Sequence, residues 1–167
     1  MKSVRRNVFE TNSSSMHSIS YTNGEYSYEL ISEGGDEDDV LYISLGEYGW
    51  EWVTYDEPTD RLRYLLTNLA CTEGLNQYGY SDSSDKEEFE NLDEFRDVVD
   101  AVVSHTSYKD VKIKSLVGYV DHQSSMSVRS LLEEAGVSTI ADFIFGPVRI
   151  RTGNDNGCDP EEDADRW

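Results

Sequence analysis

Apolar and polar residues change rhythm several times along the chain, and each change marks a new element. From Met16 to Tyr21 the two kinds alternate, which is the period of a strand. Asn23-Gly24 follows, a strong short hairpin signal, and Tyr26, Tyr28 and Leu30 then occupy every second position. Val40 to Leu45 predicts a third strand, and Trp50, Trp52, Val53 and Tyr55 a fourth. The first third therefore reads as an antiparallel, tyrosine-rich meander. At Pro58 the period lengthens. Leu62, Leu65, Leu66 and Leu69 recur at helical spacing, with proline suited to the first turn and Gly74 to the stop.

A long acidic helix or helix pair is expected next. Its apolar stripe runs through Phe89, Leu92, Phe95, Val98, Val99, Val102 and Val103. Val111 to Lys114 alternates again and continues through Leu116 to Val120 as a central strand. Ser127 and Ser138 are expected to cap two short helices, the first ended by Gly136. Val148 to Arg151 is a last strand. This order predicts an α+β fold. A single domain is expected over residues 1–153, its antiparallel sheet joined by the strands near 111–120 and 147–152, with an acidic tail over 154–167.

Composition changes the picture through charge. The chain has 34 acids against 14 Lys and Arg, a formal net charge of -20. That excess repels nucleic acid and anionic membranes over long range and steers in a basic partner. No apolar run is long enough to span a bilayer, and no hydrophobic leader core is visible near the N-terminus. Cys71 and Cys158 are too far apart to suggest a disulfide framework, so a reducing cytoplasm is the expected setting. Hydrophobic residues make up only 37%, but 11 Tyr, 5 Phe and 3 Trp supply the bulk for a core.

Two sets of candidate residues follow. Glu87, Glu90, Asp93, Glu94 and Asp97 lie opposite the apolar stripe of the acidic helix, where their carboxylates would stand in for phosphates against a basic, nucleic-acid-binding protein. The alternative is a small enzyme acting on a phosphate-bearing substrate. His17, His122 and Asp121 would do acid–base work, because imidazole beside carboxylate titrates near neutral pH. Arg5, Arg6, Ser13, Ser14 and Ser15 would hold the phosphate. No nucleophile elbow, Walker loop or dinucleotide fingerprint is present, and His17, His105 and His122 lack ligand spacing, so neither cofactor nor metal is expected.

The stretch Arg6-Asn7-Val8-Phe9-Glu10-Thr11-Asn12-Ser13-Ser14-Ser15-Met16-His17-Ser18 resembles the opening of a group of uncharacterised phage and bacterial proteins. Asp121-His122-Gln123-Ser124 and Thr152 to Asn156 are similar in character. The resemblance implies a mobile element in a bacterial cytoplasm, and no activity, fold or cofactor. Within that context, the acidic chain is expected to inhibit a host nucleic-acid-handling protein as an anti-defence mimic.

Overall fold

The computed structural model describes residues 15–78, 83–121 and 125–154, the side chains of Ser15, Met16 and Ser83 excepted. In chain order the elements are β1 (Ser15–Tyr21), β2 (Val40–Ser44), β3 (Glu47–Tyr48), β4 (Val53–Tyr55), α1 (Pro58–Glu73), α2 (Ser83–Glu90), α3 (Asp93–His105), β5 (Asp110–Ser115), β6 (Tyr119–Val120), α4 (Val128–Ala135), α5 (Ile140–Phe145) and β7 (Val148–Asn154). The fold is α+β, with one hydrophobic core shared by strands and helices.

The meander does not form. β1 pairs instead with the distant β7, antiparallel from Ser15 opposite Asn154 to Tyr21 opposite Val148, and β4 covers the other edge of β7. Both long strands alternate, so one pairing buries Ile19, Val148, Ile150 and Thr152 together. A bend at Asn23 leads into a segment without regular secondary structure, whose Ser27 N–H donates to Phe145 O at 2.9 Å. Tyr28 there lies against His105 and Phe145, at ring-centroid distances of 6.0 and 5.3 Å. Those residues therefore pack on α3 and α5 rather than forming a ladder.

The remaining strands form two parallel pairs, β2 with β5 and β3 with β6. Helices α1 to α3 supply the crossover that parallel pairing needs. The expected strand from Val111 to Val120 breaks between β5 and β6. Gly118 lies so close to the preceding connection that a Cβ there would sit 2.5 Å from Gly46 O. Only glycine allows that approach, and Tyr119 N–H then donates to Gly46 O at 2.9 Å.

Caps end the helices much as the pattern predicts. Pro58 opens α1, and Gly74 closes it at φ 70°. Ser127 Oγ accepts from Ser130 N–H at 3.2 Å to start α4, and Gly136 ends it. The cap of α5 is Thr139 rather than Ser138, accepting from Asp142 N–H at 3.0 Å.

α1 is the centre of the molecule. Its leucines are buried, and so are Arg61, Tyr64, Thr67 and Asn68. A helix buried on nearly every side must satisfy its polar side chains internally. Arg61, Tyr64 and Asn68 follow one another at i, i+3 and i+7, which is one face of the helix.

Candidate functional site

That polar face ties separate parts of the chain together. Arg61 Nε donates to Ile144 O at 2.8 Å, and Nη1 donates to Val148 O at 3.0 Å and to Asp56 O. Asn68 Nδ2 donates to Tyr64 O at 2.9 Å, while its Oδ1 accepts from Met126 N–H at 3.0 Å. Tyr64 Oη lies 2.8 Å from His17 Nδ1. Burial lowers the His17 pKa to about 4, and nearby Asp121 opposes that shift without cancelling it. His17 is therefore neutral at pH 7, and burial pushes the Tyr64 phenol up, so it too stays uncharged.

The structure thus brings His17 and Asp121 within electrostatic reach of each other. It also sets Ser15 opposite Asn154 at one end of the β1–β7 pair. His122, Arg5, Arg6, Ser13 and Ser14 lie outside the described residues. Cys71 is half-buried, and its Sγ accepts from Val120 N–H at 3.3 Å. Burial raises its thiol pKa, so it is a packing group rather than a nucleophile.

The acidic helix is a pair, α2 and α3, broken at Asn91-Leu92. Phe89, Phe95, Val98 and Val102 are buried as the stripe requires, whereas Val103 is exposed. Glu87, Glu88, Asp93, Glu94, Asp97 and Asp100 are exposed. Of these, Asp93 pairs with Arg96 at 3.1 Å. Among the described residues the others make no ion pair. Glu90 differs: its Oε1 accepts from Ile113 N–H at 2.8 Å, on β5. Its carboxylate is committed to the fold.

Most of the described bases, by contrast, are engaged within the molecule, while Lys112 is exposed beside Glu87 and Asp100. Arg63 pairs with Glu33 at 3.1 Å and Asp60 at 3.5 Å, Lys109 with Asp39 at 2.6 Å, Arg129 with Glu133 at 2.9 Å, and Arg149 with Asp56 at 2.9 Å. Lys114 donates to Glu33 O at 3.1 Å, and Arg151 lies 5.0 Å over the Trp52 ring. Glu94 and Asp97 also rim a groove of about 580 Å³ between α1, α3 and α4, floored by Leu69, Val128 and Leu132. Acidic side chains beside an apolar floor suit a basic, amphipathic partner.

Comparison with protein-family models, curated proteins and solved structures found no match. The site therefore rests on its own chemistry. Sequence periodicity placed Glu87, Asp93, Glu94 and Asp97 outward, where they are. It missed the polar face of α1. The signal was there, in an arginine, a tyrosine and an asparagine at helical spacing inside a leucine-rich segment, but the leucines alone suggested a one-sided helix. Among the described residues no helix is long and apolar enough to cross a membrane.

Proposed function

We propose that the chain binds a basic, nucleic-acid-handling protein and inhibits it by occupying the surface that nucleic acid would use. The observation that carries this reading is the outer face of α3 and the end of α2, where exposed carboxylates outnumber the nearby bases, Arg96 and Lys112. Asp93, Asp97 and Asp100 follow one another at about 6 and 4.5 Å along the helix axis. A nucleic-acid strand carries one phosphate per about 3.4 Å; the three acids alone reach about two-thirds of that linear charge density, and the pairing of Asp93 with Arg96 lowers the net value. With the net charge of -20 behind it, the face attracts a basic groove over several ångströms of screened solvent. The apolar groove next to Glu94 and Asp97 adds contact area that salt does not screen. The setting is a bacterial cytoplasm, and the anti-defence role rests on the phage-type opening sequence.

The enzymatic alternative through His17, Asp121 and His122 has weaker support. His17 Nδ1 is already held by Tyr64, and a neutral imidazole with a pKa of about 4 is a poor proton donor at pH 7.

Charge reversal tests the proposal. Glu87→Lys, Glu94→Lys and Asp97→Lys together leave the core untouched, and Glu90 is kept because it holds Ile113. A partner captured on the immobilised wild-type chain and eluted with salt is expected to bind the triple variant about tenfold more weakly or worse. Equal dissociation constants for the two proteins would end the mimic reading.

A further inference from the structure

A second surface carries aromatic rings where a folded chain normally hides them. Trp50 is 64% exposed and Tyr78 is 75% exposed. Gly49, at φ 112°, turns the chain after β3 and delivers Trp50 outward. Tyr119 of β6 lies between the two rings, edge-on to Trp50 at a centroid distance of 6.4 Å and stacked with Tyr78 at 5.9 Å. Trp50 and Tyr119 line a cleft of about 380 Å³ together with Glu47, Glu51 and Tyr55. Among the described residues no Lys or Arg lines it.

We propose that this cleft is a binding site for a guanidinium group, taken from an arginine side chain on the basic partner. Aromatic faces attract cations through their quadrupole, and the planar guanidinium can stack on a ring while its N–H groups reach a carboxylate. The two carboxylates are well placed for this. Glu47 stands directly opposite Tyr119 in the β3–β6 pair, and Glu51 follows Trp50 in the chain and lines the same cleft. The fold already seats one arginine on an indole, Arg151 over Trp52 at 5.0 Å. Tryptophan, tyrosine and arginine are also the residues that dominate binding at interfaces. The site rests on the reading that the partner is basic, but none of the residues lining the cleft belongs to α2 or α3.

The experiment uses the full chain and a capped arginine amide as probe. The indole N–H resonance of Trp50, assigned by its loss in Trp50→Phe, is followed during titration. A saturable shift is expected. Capped citrulline, which has the same shape without the charge, should bind at least about tenfold more weakly. Glu47→Gln with Glu51→Gln should weaken arginine binding about fivefold or more, and Tyr119→Leu likewise. Citrulline binding as well as arginine, or unchanged binding in the double glutamine variant, would overturn the proposal. The Glu87/Glu94/Asp97 reversal should leave the titration unchanged. Failure of the carboxylate face and failure of this cleft are therefore distinguishable.

Discussion

Replacing Arg61 with leucine is expected to cost the fold about 3 kcal/mol. The guanidinium is buried and donates to three carbonyls, Ile144 O, Val148 O and Asp56 O. Leucine fills the space but leaves at least two buried acceptors without a donor, at about 1–3 kcal/mol each. Part of this is returned, because a charge no longer has to be buried. The same burial lowers the Arg61 pKa from its ordinary value. For a chain of this length the net loss corresponds to a fall of about 6–12 °C in Tm. Arg61→Lys should recover only part of it, since a compact ammonium lacks the planar fork that lets Nε and Nη1 reach separate carbonyls. Thermal unfolding of the two variants checks the expectation, and a Tm within about 2 °C of wild type for Arg61→Leu would contradict it.

Acidification is expected to unfold the wild-type chain more than a His17→Gln variant. The folded pKa of His17, about 4, lies below the ordinary 6.5, so as pH falls the unfolded chain takes up this proton first. The contribution is complete above about pH 6.5 and drains away as pH falls through 4. At 1.36 kcal/mol per unit it amounts to at most about 3 kcal/mol. Glutamine does not titrate, so the difference in denaturant stability between the two proteins should shift by that amount from pH 7.5 to pH 4. The many carboxylates titrate in both proteins and cancel in the difference. Parallel stability profiles would mean that His17 is not held neutral against Tyr64.

The caps and apolar stripes were legible because each depends on neighbours within one helical turn. Ser127, Gly136, Pro58 and Gly74 sit where local chemistry puts them. Partner choice among strands was not legible. Asn23-Gly24 is a hairpin signal that the fold does not use as one: the chain only bends at Asn23, Gly24 lacks a positive φ, and Tyr28 does better against His105 and Phe145. The break between α2 and α3 has a geometric cause. In one continuous helix, positions six apart point about 120° away from each other. Phe89 and Phe95 are nevertheless both buried, with ring centroids 5.3 Å apart, because the chain is rephased at Asn91-Leu92. Trp50 was expected to pack in a sheet with Trp52. The left-handed turn at Gly49 decides otherwise, and a single sequence does not reveal which glycine adopts a positive φ.

The central claim is that the carboxylate face replaces nucleic acid on its partner, and competition tests it most directly. A fluorescent single-stranded oligonucleotide is bound to the captured partner, and the chain is titrated in at several salt concentrations. Displacement should be complete. The affinity of the chain should fall steeply and linearly with salt on logarithmic axes, as phosphate contacts do, and the slope should flatten in the Glu87/Glu94/Asp97 reversal. A ternary complex, in which the partner keeps its oligonucleotide at saturating chain, would contradict the account.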